Sequence, residues 1–187
     1  MTDLGGALRT VVGVLEGGGI PYMVIGGLAN LVWGEPRTTT DLDITVEARD
    51  TARFLTVAAR CGELLGDDPR EVAERGRLVP VRTDQGVRVD FALATLSFET
   101  EAIERARRIA LLGVDVRVVT SEDLIVMKSV SERARDHEDV IGIVRRQGET
   151  LDVGRLDRIL EGLAADLAEP AIGERWREAK RRAAGGA

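Results

Sequence analysis

Hydrophobic positions follow two rhythms along this chain, and the change between them falls near Thr120. Before it, period-two runs such as Leu42, Ile44, Val46 and Val87, Val89, Phe91, Leu93 predict half-buried strands. Between these runs, Leu4, Leu8, Val11, Val12 and Leu15 recur at helical spacing until Gly17-Gly18-Gly19 closes the helix ahead of Pro21. After Thr120 the spacing is helical: Leu124, Ile125 and Met127, then Val140, Ile141 and Val144, then Leu156, Ile159, Leu160 and Leu163, with a fourth segment over Glu174–Ala184.

Turn chemistry fills in the rest. Ala52, Leu55, Ala58 and Ala59 predict a helix ending at Gly62, and Asp68-Pro69 opens a short one, with proline at the first helical position. Thr83-Asp84-Gln85-Gly86 joins strands over Leu78–Arg82 and Val87–Leu93 into an antiparallel hairpin. A charged helix is predicted over Glu99–Arg108, with short strands Ile109–Leu112 and Val114–Val118 around Gly113. Thr120-x-x-Asp123 resembles a capping box. The fold class is therefore α+β: a mixed sheet flanked by helices over 1–119, then a helical region over 120–187 that closes the cleft.

Of the 187 residues, 44% are hydrophobic and 31% charged, enough to bury a core, and the net charge is −6. A negative chain is not steered onto bulk nucleic acid by long-range attraction, which leaves local basic runs such as Arg175–Arg182 or Arg105, Arg107 and Arg108 for that purpose. The lone Cys61 excludes an intramolecular disulfide, and Met1-Thr2-Asp3-Leu4 lacks the basic start of a signal peptide, so a cytoplasmic location is expected. The longest apolar stretch, Ile20–Gly34, is shorter than the ~20 residues of a membrane span. No membrane association is expected.

The candidate chemistry lies in YMVIGGLANLVWGEPRTTTDLDITV, residues 22–46. A strand runs into Gly26-Gly27, where a backbone without Cβ atoms approaches a ligand closely, and the helix that follows points free N–H groups at a phosphate. Asp41 and Asp43 share one strand face while Leu42, Ile44 and Val46 take the other. Paired carboxylates repel, and oxygen-only ligands suit Mg²⁺. In the later strand Arg88 and Asp90 share the polar face; if the two strands are neighbours, Asp90 completes a three-acid cluster able to hold two metals about 3.5–4 Å apart. Arg37 stands between the glycines and the acids, where a guanidinium binds phosphate bidentately. Lys128 sits on a mostly apolar helix, where a lysine needs a task or a route to water.

Other residues have simpler readings. Asp136 and Asp139, one helical turn apart, suit either a nucleotide site or helix-end complementarity. His137 stands between acids and is expected to be exposed, Cys61 to be a small buried residue, and Trp33 and Trp176 to be packing residues.

Gly26-Gly27, a helix, Gly34, Arg37-x-Thr39, Asp41-x-Asp43 and a later strand Asp90 together resemble the polymerase-β-type nucleotidyltransferase superfamily. Asp123-Leu124-Ile125-x-x-Lys128 with Arg133-x-x-Asp136-x-x-Asp139 resembles its toxin-type branch, the abortive-infection (type IV toxin) nucleotidyltransferases. The resemblance implies an Mg²⁺- or Mn²⁺-dependent enzyme moving a nucleoside monophosphate from a nucleoside triphosphate, ATP among them, to a hydroxyl. Asp41, Asp43 and Asp90 would hold metal, with Asp90 also accepting the proton. Gly26, Gly27, Arg37, Thr39, Lys128 and Asp136 would hold the nucleotide. The toxin-type likeness implies a tRNA 3′ end as acceptor and a cognate antitoxin; the alternatives are a small molecule of aminoglycoside type, a partner protein, or nucleotide binding without catalysis. One departure is plain: many members carry Gly-Ser at the turn, and Gly27 has no hydroxyl.

Overall fold

In the computed structural model, which describes residues 3–185, the short apolar runs become strands of one sheet. The elements in chain order are α1 (Leu4–Gly17), β1 (Tyr22–Val24), α2 (Gly26–Trp33), β2 (Leu42–Val46), α3 (Thr51–Ala58), β3 (Glu63–Leu64), α4 (Pro69–Gly76), β4 (Leu78–Arg82), β5 (Arg88–Leu93), α5 (Ser97–Arg105), β6 (Arg107–Leu111), β7 (Val114–Val118), α6 (Ser121–Val130), α7 (Ala134–Gln147), a 3-10 turn (Gly148–Thr150), α8 (Val153–Asp166) and α9 (Pro170–Ala183). The expected α+β class is what forms.

The chain divides into two units. The sheet unit comprises the chain up to Leu28 and Thr38–Val119; the helical unit comprises Ala29–Arg37 and the chain from Thr120 onward. The division falls within α2.

In the sheet unit the strands run in the order β3-β4-β5-β2-β1-β7-β6. β2 lies at its centre, parallel to β5 and antiparallel to β1, while β1 runs parallel to β7. The predicted hairpin forms: β4 and β5 pair antiparallel, Gly86 takes φ +73°, and the Thr83 hydroxyl donates to the Val87 carbonyl while accepting from the Val87 amide. Leu42, Ile44, Val46, Val89 and Phe91 are fully buried, and Phe54 of α3 meets Phe91 edge-on with ring centroids 5.4 Å apart. Asp68 caps α4 through the amides of Arg70 and Glu71, with Pro69 at its first position.

Several boundaries differ from expectation. The charged helix stops at Arg105, because Arg107 and Arg108 enter the β6 ladder opposite Val118 and Arg117. The two-residue strand β3 is set by its pairing with β4 rather than by any pattern of its own. Thr45, on the Asp43 side of β2, is buried where α5 contacts β1 and β2. Asp41 precedes β2, and α2 opens at Gly26 itself, so the glycines form the first turn of the helix instead of a turn before it.

In the helical unit α6, α7, α8 and α9 pack around Leu124, Ile125, Val140, Ile141, Leu156, Leu160, Ile172 and Trp176. Trp176 donates through Nε1 to Asp157 (2.6 Å), which also takes Lys180 Nζ (2.5 Å). The segment 29–37 is bound to α7: Arg146 donates to the carbonyls of Leu31 and Gly34, and Gln147 to that of Trp33. Gly142 permits this, because a Cβ there would stand 3.2 Å from the Glu35 backbone nitrogen. Thr120 caps α6 through the Asp123 amide, while the Asp123 carboxylate, fully buried, takes Arg155 at 2.8 Å. His137 is half-buried, its Nε2 2.7 Å from the Ser131 carbonyl, because α7 turns it back onto the connection from α6. Burial pushes the Cys61 thiol up to about 11, which fits a packing residue. No helix among the described residues is long and apolar enough to cross a membrane.

Removing the Phe54 ring should leave a cavity against Phe91 that the sheet cannot close. Phe54→Ala is expected to cost about 3–5 kcal/mol in urea unfolding at an unchanged slope; a loss under about 1 kcal/mol would show that this ring pair is not part of the core.

Candidate active site

In the sheet unit, the parallel register of β2 and β5 sets Asp43 directly opposite Asp90. Neighbouring strands lie about 4.8 Å apart, so the two carboxylates share one face within side-chain reach. Asp41 follows two residues upstream on exposed chain. Two of the acids have a polar neighbour: Arg88 Nε donates to both Asp90 oxygens (3.0 and 3.1 Å), and the Thr40 hydroxyl donates to Asp41 Oδ1 at 3.2 Å. Sequence reasoning had set Arg88 and Asp90 on one face without pairing them; their i, i+2 spacing on a strand was the available signal.

The glycines are required where they stand. Gly26 takes φ +60°, and a Cβ there would lie 2.0 Å from Asp43 Oδ2. The Ile25 amide donates to the Asp43 carbonyl at 2.9 Å, so the start of α2 is fastened to the acid-bearing strand. A Cβ on Gly27 would lie 2.4 Å from Thr39 Oγ1. The Thr39 hydroxyl thus fills the space that a serine at 27 would need.

The helical unit gathers the other predicted residues. Lys128, 6% exposed, donates to Asp136 Oδ1 (2.5 Å) and Asp139 Oδ2 (2.8 Å). Arg37 grips Asp139 bidentately, Nε to Oδ1 and Nη2 to Oδ2, both at 2.9 Å. Ser131 Oγ donates to Asp136 Oδ2 at 2.7 Å. Burial pushes the Asp136 carboxyl up, but hydrogen bonds from Lys128 and Ser131 and the charges of Lys128 and Arg133 together outweigh that and hold it below the usual carboxylate range. Asp139, which the sequence left between a nucleotide site and helix-end complementarity, is the hub that takes both Arg37 and Lys128.

A family model described as "Nucleotidyl transferase of unknown function (DUF2204)" matches residues 5–165. The chain belongs to this family. No curated protein matches the sequence. Among solved structures, the antibiotic-resistance factor ANT(2'')-Ia is 15% identical, with 88% of this chain and 94% of that one covered at a TM-score of 0.61. The lincomycin-bound lincosamide antibiotic adenylyltransferase LnuA is 13% identical, with 74% and 94% covered at 0.53. Both share the fold. The Thermotoga maritima CCA-adding enzyme complexed with tRNA, 16% identical over 84% of this chain and 42% of that one, reaches only 0.42, too loose to bear on function. The family match carries the nucleotidyltransferase reading and does not reach the toxin-type branch.

For a nucleotidyl transferase, the question is whether the acids suit divalent metal. Three carboxylates give an all-oxygen donor set, and the Asp43–Asp90 register puts two of them face to face, both of which fit Mg²⁺ or Mn²⁺. Asp90 is held by Arg88, and among the described residues no three acid, histidine or cysteine side chains converge on one point. To join Asp43 on a cation, Asp90 would have to turn away from Arg88.

The Lys128 network makes a testable demand on stability. Lys128→Ala leaves Asp136 without its ion pair and Asp139 with Arg37 alone, which should cost about 3–5 kcal/mol. Asp136 has a folded-state pKa below its unfolded one, so its stabilisation is complete above the ordinary carboxylate range near ~4 and is lost as pH falls through the lowered value. The stability deficit of Lys128→Ala relative to the parent should therefore be full above about pH 4 and shrink as pH falls through the lowered Asp136 value. Identical acid transitions by circular dichroism would rule the network out as a structural element.

Proposed function

We propose that this nucleotidyl transferase moves a nucleoside monophosphate from a nucleoside triphosphate to a hydroxyl of a small acceptor molecule, with Mg²⁺ or Mn²⁺ bound by Asp41, Asp43 and Asp90. The observation that carries the reading is the register of Asp43 against Asp90 at the opening of a glycine-started helix. Metal held there would offset charge on the phosphates. Gly26 and Gly27 let the α2 backbone approach a phosphate, and Thr39 offers the hydroxyl that Gly27 lacks. Asp90, once released from Arg88, accepts the proton of the incoming hydroxyl. Arg37, Lys128 and Asp136 keep a nucleotide role in this proposal, in which the triphosphate competes with Asp139 for the two cations. Catalysis is then positioning plus charge neutralisation.

Charge supports a small acceptor. The basic residues that would track RNA are mostly spent on neighbouring groups: Arg182 on Glu138, Lys180 on Asp157, Arg181 on Glu178, Arg105 on Glu101, and Arg108 on Glu16 and Asp115. Neutralised cations release few counterions from a phosphate backbone. The two neighbours of highest likeness reported above, an antibiotic adenylyltransferase and an antibiotic-resistance factor, point the same way. The second reading, a toxin acting on a tRNA 3′ end under control of an antitoxin, rests on the spacing of Lys128, Asp136 and Asp139, which this chain keeps.

The test combines binding and transfer. Mg²⁺ or Mn²⁺ with a nucleoside triphosphate should raise the melting temperature by mass action, about 2.7 kcal/mol at a hundredfold excess over Kd. Asp43→Asn should abolish that shift and leave the apo fold intact, since it removes one of two facing charges. With α-labelled triphosphates, label should pass to hydroxyl-bearing small molecules; label found on tRNA alone would establish the second reading, and no metal-dependent shift would remove the site.

A further inference from the structure

The helical unit contains a cavity of about 170 Å³ between α7 and α9, beside the end of α6. Apolar wall comes from Val140, Ile141 and Ala179. Its polar side is unbalanced. Arg182 is committed to Glu138 by two hydrogen bonds of 2.8 and 2.9 Å, and Glu178 is committed to Arg181. Arg175 differs: Nη1 reaches only two backbone carbonyls, of Ser129 and Ser131, both at the long distance of 3.3 Å. Among the described residues its Nε and Nη2 donate to no acceptor and its charge faces no carboxylate within ion-pair range. Ser129 itself is 2% exposed, and its hydroxyl is buried without a hydrogen-bond partner. A cavity wall therefore holds a half-buried guanidinium with no carboxylate partner next to a buried hydroxyl with no hydrogen bond, and the hydroxyl costs stability unless something pairs with it.

We propose that this cavity is a binding site for a small carboxylate with a short apolar body. A carboxylate has two oxygens, one for the Arg175 fork and one for the Ser129 hydroxyl, and the charge-assisted contact is the strong one. The volume equals about six water molecules at ~30 Å³ each, well under the ~300–1,000 Å³ of pockets for larger ligands, so a nucleoside triphosphate is excluded. The apolar wall selects against a bare, strongly hydrated inorganic anion, which would have to shed water without contacts in return. A branched acid of about six non-hydrogen atoms meets both limits.

Isobutyrate is a suitable probe, with isobutyramide as its uncharged counterpart and inorganic phosphate as the bare anion. In the full chain at constant ionic strength, isobutyrate should produce saturable shifts in the methyl NMR signals of Val140, Ile141 and Ala179. The amide and phosphate should not. Arg175→Gln should weaken binding roughly tenfold to a hundredfold, the range for a hydrogen bond to a charged group. If that variant does not fold, the three-ligand comparison on the parent decides alone. No saturable shift with isobutyrate, an equal response to the amide, or binding of phosphate only would each overturn the proposal.

Discussion

Two carboxylates facing each other across neighbouring parallel strands are the constraint around which the sheet unit is arranged. Like charges directly opposite destabilise a strand pair, so Asp43 and Asp90 are held together against their own repulsion. What holds them is the apolar side of the same strands: Leu42, Ile44 and Val46 beside Val89 and Phe91, all fully buried. At about 1.5–3 kcal/mol for each large side chain, that burial far exceeds the electrostatic cost of one partly exposed acid pair, which at high local dielectric is on the order of 1–4 kcal/mol. Arg88, whose Nε donates to both Asp90 oxygens, reduces the cost further.

The helical unit solves a related problem in the opposite way. Arg37, Lys128, Asp136 and Asp139 carry two charges of each sign and pair internally, with Asp139 taking both cations. A buried group of this kind adds little over a well-packed apolar set, yet losing one member is costly because it leaves the others unpaired. The network thus fixes geometry more than it adds stability. It fastens the segment ending at Arg37 to α7, helped by Arg146 and Gln147 on the carbonyls of residues 31–34.

Much of this was legible in the sequence because the signals were local. Period-two alternation gave the strands bearing Asp43 and Asp90, the Thr83–Gly86 turn gave their hairpin neighbour, and Asp68-Pro69 gave a capped helix. What escaped depended on partners far along the chain. Arg107 and Arg108 read as helix because charged residues at that spacing favour one, and only the ladder to β7 makes them strand. Arg37 and Asp139 are 102 residues apart, and no local pattern announces that an arginine is already committed. The assignment of 29–37 to the helical unit was hidden for the same reason, since its evidence lies in Gly142 and Arg146.

The glycine pair shows how a departure from a family pattern can be absorbed by geometry. A serine at 27 would bring a hydroxyl to the opening of α2, and Gly27 cannot. The space such a side chain would occupy is taken by Thr39, whose Oγ1 lies 2.4 Å from where a Cβ would be, so a serine would need Thr39 to move. Gly27 and Thr39 are therefore a coupled choice: the small residue is demanded by the hydroxyl of the larger one. Gly26 stands in the same relation to Asp43, with a prospective Cβ 2.0 Å from the carboxylate and a φ of +60° that favours glycine in any case. Each glycine makes room for one polar side chain from the 39–43 stretch. The order Gly26-Gly27 followed by Thr39 and Asp43 is thus a set of mutual steric requirements, which explains physically why those residues stand together in one motif.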